Sequence, residues 1–202
     1  MEKEINTGFQ DEQEKFGAGR RSLARISLSA LFAALIAAGT FVAIPLPVTP
    51  VPIVLQNMFA LLAGLTLGPA MGGAASALYL LAGAIGLPVF AGAVGGFVQF
   101  AGPTGGFLFG YPLSAILAGF IAGTPRSDKT TPLWRLAIAG FLGMAVLYVP
   151  GLLWLKMTLS ASWVKTFAVG LTPFIVGDII KTTIAVFSAC GLRKGAAKAL
   201  NG

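Results

Sequence analysis

The chain has 202 residues, 56% hydrophobic and only 10% charged, with a net charge of +7 and a mean hydropathy of +0.85. A soluble domain carries about 25% charged residues, whereas residues 26–125 here contain no Asp, Glu, Lys or Arg, which excludes a soluble fold and indicates a polytopic membrane protein. There is no basic face on a soluble domain for nucleic acid, and with no His and a single Cys the chain offers almost no ligands for zinc or haem.

The length allows about six spans of ~20 residues each. The expected architecture is an all-α integral membrane protein with six transmembrane helices, both termini cytoplasmic, and a Gly-rich irregular outer loop between helices 3 and 4. Residues 1–21 are expected to form a disordered cytoplasmic tail, being polar and broken by glycine. The bundle occupies 22–192, and a basic cytoplasmic tail occupies 193–202. Arg20 and Arg21 resemble a twin-arginine signal, but the apolar run that follows is too long for one and leads into further spans.

The first span is predicted over residues 22–44. Ala30 and Ala34 in it, with Ala33, Ala37 and Ala38, follow the spacing by which small residues let membrane helices approach closely. Four prolines among residues 45–52 end the helix. A second span follows at 53–67, with Gln56 and Asn57 near its outer end, facing either a pocket or the interface. A third is predicted at 70–85.

Residues 86–110 are uncharged and dense in glycine and aromatics. Irregular backbone at membrane depth is tolerated only where protein buries it or it lines a cavity. The segment is read as a folded-in outer loop offering backbone groups to a ligand, or as a packing loop. Gly105 and Gly106 stand at the start of the fourth span, predicted at 107–123, where a helix end has free N–H groups. The run Gly102, Pro103, Thr104, Gly105, Gly106 has no following Lys-Ser/Thr and is not a phosphate loop. Residues 124–132 are the clearly hydrophilic interior loop. The fifth span is predicted at 133–157, with Trp134 and Trp154 near its ends, and the sixth begins near Pro173.

Within the sixth span lie Asp178 and Lys181, three residues apart and therefore on one helical face. A charge at membrane depth is costly unless paired or facing a wet cavity, so such a pair marks a functional site by default. The alternative is a pair that only locks helix packing or reaches interfacial water. Eleven Lys and Arg fall on the tails and the 124–132 flanks, against Lys156 and Lys165 on the other side. The positive-inside rule then puts both termini in the cytoplasm and the pair in the outer half. Phe97, Phe100, Phe107 and Tyr111 could supply apolar walls. Such a pocket suits a small amphiphile with a polar ring and a carboxylate, not an inorganic ion, which needs several carboxylates. No Ser–His or Cys–His pair, no zinc motif and no P-loop speaks for catalysis.

Six segments together resemble the BioY family, the biotin-specific substrate-binding (S) components of energy-coupling factor (ECF) transporters. They are SALFAALIAAG around Ala30 and Ala34, PVTPVPIVLQ ending at Gln56, LLAGLTLGP ending at Pro69, GLPVFAG from Gly86, GPTGGFLFGY from Gly102 to Tyr111, and PFIVGDIIK from Pro173 to Lys181. They cover most of the chain from residue 22 to 192. The resemblance implies high-affinity biotin binding and uptake across the bacterial cytoplasmic membrane, with no enzyme activity and no cofactor beyond the ligand. It implies that Asp178 and Lys181 contact biotin, with Thr104, Gly105, Gly106, Tyr111 and Gln56 lining the site. Asp178 would accept from the ureido N–H groups, and Lys181 would serve the ureido carbonyl or the valerate carboxylate. It further implies that Ala30 and Ala34 dock on the transmembrane coupling subunit, EcfT, with two ATPase subunits supplying energy. Gln99 and Phe100 stand where the family pattern has small or aliphatic residues. The competing readings are an S component for another vitamin, an integral-membrane enzyme using Asp178 and Lys181 as acid and base on a lipid-like substrate, and a structural subunit.

Overall fold

The computed structural model describes the backbone of residues 2–201 and side-chain surroundings for residues 16–200 apart from 18. The chain is mostly helical: α1 (Glu2–Ala38), α2 (Gln56–Leu67), α3 (Pro69–Ala84), α4 (Gly105–Ala122), α5 (Leu133–Leu159), α6 (Trp163–Gly170) and α7 (Ile175–Asn201). The tail expected over residues 1–21 falls mainly on residues whose side chains lie outside the described range.

Among the described residues four helices are long and apolar enough to cross a membrane, over Gly19–Phe41, Gly105–Ala122, Leu133–Leu159 and Ile175–Leu200. The apolar helices Gln56–Leu67 and Pro69–Ala84 are shorter. At 12 residues, α2 reaches only ~18 Å.

The expectation of an all-helical chain needs correction. The proline segment folds into an antiparallel hairpin of β1 (Ala43–Leu46) and β2 (Thr49–Val54), pairing Ala43 with Val54 and Ile44 with Ile53. Proline stops a helix but is admitted at a sheet edge, where its missing N–H costs no ladder bond. A two-stranded ribbon is all edge, and the interleaved Val, Ile and Thr favour extended backbone. The connection after α5 also holds the short helix α6, started by Ser162, whose Oγ accepts from the Lys165 N–H.

Glycine sets how closely these helices approach. With lipid as apolar as leucine, membrane helices gain their contact from small residues and close backbone packing. A Cβ added to Gly64 of α2 would collide with the backbone of Ala115 in α4; one on Gly106 or Gly110 of α4 would strike α5 at Pro150 or Leu147. Gly68, at φ 87°, allows α2 to turn into α3 through one residue.

The end of the bundle opposite the hairpin is fixed by Arg193. Its side chain is 6% exposed, and its guanidinium donates to the carbonyl oxygens of Leu65, of Ala122 at 3.3 Å and of Gly123 at 2.9 Å. These carbonyls belong to the C-terminal ends of α2 and α4, which lack partners within their own helices and carry partial negative charge.

The α2–α4 seam gives a direct test. Gly64→Val places two methyl groups against backbone that cannot yield, and is expected to cost about 3 kcal/mol or more. Size-exclusion chromatography and thermal unfolding in detergent should show loss of the monodisperse species or a large fall in Tm; an unchanged Tm would mean that the seam is not close-packed.

Candidate ligand-binding site

Helix α7 begins just after Thr172, Pro173 and Phe174, and the Asp178 N–H donates to the Phe174 carbonyl at 2.8 Å. One turn in, Asp178 and Lys181 are only 5% and 7% exposed. They face inward together, as their spacing predicts. Lys181 Nζ lies 2.8 Å from Asp178 Oδ1. Asn57 Nδ2, from the start of α2, donates to the same oxygen at 3.0 Å. The Tyr148 hydroxyl, from the middle of α5, donates to Asp178 Oδ2. Lys181 also donates to the Val54 carbonyl at 3.0 Å and to Asn57 Oδ1 at 3.4 Å.

Three donors therefore meet the carboxylate, and three acceptors meet the ammonium. A buried pair is tolerable only when its remaining lone pairs and protons are also satisfied. The network draws on β2, α2, α5 and α7 at once. It leaves one carboxylate lone-pair site open, on the count of about four for two oxygens.

The pair lines a small cavity of about 40 Å³ together with Val51, Pro52, Val54, Asn57, Phe107, Tyr111, Leu147, Tyr148, Gly170 and Phe174. A second cavity of about 50 Å³ is lined by Gln56, Phe90, Ala91, Gln99, Thr104 and Leu108, and shares Val51, Pro52, Val54, Phe107 and Tyr111 with the first. These five shared residues form the wall between the two spaces. Aliphatic and aromatic surface with a few converging polar groups is the usual make-up of a small-molecule site.

The other expected site residues divide. Tyr111 borders both cavities and Thr104 the second. Gln56 also borders the second, but its amide is engaged: Nε2 donates to the Val89 carbonyl at 2.8 Å and to Thr40, while Oε1 accepts from the Tyr111 hydroxyl at 3.4 Å. It ties the glycine-rich loop to the foot of the hairpin. Gly105 and Gly106 border neither cavity; a Cβ on either would strike backbone, of Phe100 and of Pro150 respectively. Of the aromatic walls, Phe107 lines both spaces, Phe100 meets Phe90 edge-to-face with centroids 5.5 Å apart, and Phe97 is 77% exposed. Ala30 and Ala34 both face outward on α1, so neither is used to pack the helix against its own bundle.

Sequence reasoning left Asn57 undecided and missed Tyr148. A signal for Tyr148 was present. Membrane tyrosines favour the two interfacial belts, whereas this one lies mid-helix beside Pro150, where a buried hydroxyl needs a partner.

The comparisons with known proteins agree with this geometry. The BioY family model matches residues 11–198. A probable biotin transporter BioY of Pyrococcus horikoshii is 38% identical over 81% of this chain and 93% of its own length. The biotin transporter BioY of Thermotoga maritima is 40% identical over 81% of this chain and 92% of its own. Among solved structures, the S-component for biotin from an ECF-type ABC transporter superposes with a TM-score of 0.76 at 31% identity, over 86% of this chain and 92% of that one. A buried Asp–Lys pair beneath a proline hairpin, a match over nearly the whole chain and a shared fold lead to one conclusion: the chain belongs to the BioY family.

Proposed function

We propose that the chain is the biotin-binding S component of an ECF transporter, crossing the cytoplasmic membrane six times. The observation that carries this is the Asp178–Lys181 pair, buried in a cavity wall of a BioY-family chain. Its relatives are named as biotin transporters, so the membrane-enzyme reading is set aside. The six passes are α1 to α5 and α7, with α2 and α3 as short spans. The positive-inside count supports cytoplasmic termini and places the pair, the hairpin and the glycine-rich loop outward.

The pair is electrically neutral as a unit, which suits a neutral ureido ring better than a carboxylate. The ring's N–H groups match Asp178 and its carbonyl matches Lys181, while the ring's flanks meet Phe107, Leu147 and Phe174. The aliphatic tail then extends into the second cavity, toward Thr104 and Gln99. Spaces of about 40 and 50 Å³ are too small for a bicyclic ring, so entry displaces the wall of Val51, Pro52 and Val54 that divides them. Biotin then exchanges hydrogen bonds with a network that has one carboxylate lone-pair site open and is otherwise satisfied.

Titration calorimetry with biotin on the detergent-purified protein tests the site. One biotin per chain is expected. Asp178→Asn and Lys181→Ala should each weaken binding about 100-fold, or ~2.7 kcal/mol, as loss of a charge-assisted hydrogen bond does. Tyr148→Phe should cost about tenfold with folding intact. A well-folded wild type that ignores biotin sinks the reading.

The outward small-residue face of α1 supports docking on a partner membrane helix, which the reading identifies as the EcfT subunit acting with two ATPase subunits. Ala34→Trp should leave biotin affinity unchanged in detergent and abolish ATP-driven uptake when the protein is reconstituted with those subunits. Uptake equal to wild type would remove this face from the coupling interface.

A further inference from the structure

At the end opposite the biotin site, the α4–α5 connection and the C-terminal half of α7 enclose a crevice of about 390 Å³. Arg126, Lys129, Thr130, Thr131, Arg193 and Lys194 line it, over a floor of Leu136, Phe187, Cys190 and Gly191. Among the described residues, no acidic side chain lines it.

The four cations differ in availability. Arg126 is held by Asp128 through two hydrogen bonds of 3.0 Å, and Asp128 is drawn below its usual pKa by that partner. Lys129 and Lys194 are exposed and have no carboxylate within salt-bridge distance among the described residues. Arg193 is different again. It is buried, and its contacts are carbonyl oxygens, which solvate its charge without neutralising it. A buried cation without a counter-charge is costly, and the crevice is where an anion would come nearest to it.

The crevice also has an apolar side. Phe187, Cys190, Gly191 and Lys194 follow the i, i+3, i+4, i+7 spacing of one helical stripe. The stripe continues through Ile184 and Ile180, which are 50% and 55% exposed; Phe187 is 60% exposed. A Cβ on Gly191 would meet nothing within 4 Å, so the stripe is notched there. From Lys194 to Ile180 it rises ~21 Å, the scale of one leaflet of a ~30 Å hydrocarbon core with part of its headgroup layer. Trp134, 66% exposed in the first turn of α5, marks the interfacial level at this end of the bundle.

We propose that this crevice binds an anionic phospholipid. The phosphate lies among Lys129, Lys194 and the hydroxyls of Thr130 and Thr131, offsetting the charge of Arg193, and an acyl chain runs along Phe187, Ile184 and Ile180. Basic pockets between membrane helices at the cytoplasmic side take such headgroups. The continuous apolar stripe selects a lipid over a free phosphate, which would use only the polar half.

The test is thermal unfolding of the full chain in detergent after delipidation, with added dioleoylphosphatidylglycerol, dioleoylphosphatidylcholine or inorganic phosphate. Phosphatidylglycerol should raise Tm by several degrees more than phosphatidylcholine, and phosphate alone should not. In the double variant Lys129→Gln, Lys194→Gln that difference should fall by at least half, while Lys156→Gln, Lys165→Gln at the other end keeps it. If the first double variant does not yield folded protein, Thr130→Ala with Thr131→Ala is read in its place, with the same loss expected. Equal effects of the two lipids, or a phosphatidylglycerol effect untouched in the variants, overturn the proposal. So does a full effect from phosphate alone, which would assign a free anion, or full displacement of the lipid by polyglutamate, which would assign an acidic protein partner.

Discussion

The fold depends on keeping one carboxylate and one ammonium satisfied away from water. Removing one member of such a buried pair leaves an uncompensated charge, which costs far more than the pair itself contributes. Asp178 and Lys181 therefore cannot be placed by α7 alone. Asn57 must come from the start of α2, Tyr148 from the middle of α5, and the Val54 carbonyl from the end of β2. Satisfying the pair fixes the relative positions of four elements. The cavity proposed here for biotin is what remains where their side chains do not meet.

Much of this was legible in the sequence, and the legible parts share a cause. The apolar helices follow from runs without charge, and their ends from Pro and Gly, so α3 at Pro69–Ala84 and α5 at Leu133–Leu159 fall close to the spans expected. Asp178 and Lys181 stood out because burying charge in lipid is expensive. What stayed hidden were features decided by contact between distant segments. Four prolines say that a helix stops; they do not say that Ala43 will face Val54 in a ribbon. Gln56 was readable as a polar residue near a pocket, but only the fold shows its amide engaged by Val89, Thr40 and Tyr111. Gly105 and Gly106 were visible as glycines; whether a glycine faces a ligand or another helix depends on what packs against it, here Phe100 and Pro150.

The same reasoning accounts for α2, which is too short to span a bilayer in isolation. It runs beside α7 in the same sense and is tied to it at both ends. At its start Lys181 reaches Val54 and Asn57; at its finish Arg193 reaches Leu65. Between the two ties, Gly64 lets it close onto α4. Two charged side chains on one helix thus clamp a 12-residue segment whose own length could not anchor it.

That clamp bears on how a ligand can enter. With α2 held to α7 by charge at both ends, α4 tied at one end by Arg193, α5 tied at mid-helix by Tyr148, and glycine seams between, their packing has little freedom, because close-packed interiors transmit strain rather than absorb it. The hairpin is attached differently. Among the described residues it forms no further strand pairing, and the Val54 carbonyl contact to Lys181 is at its last residue. On the proposed reading, a ureido carbonyl arriving at Lys181 would compete for that ammonium with Val54. Ligand recognition and release of the hairpin would then be one exchange of hydrogen bonds, in which the group that reads biotin also holds the wall that biotin must pass.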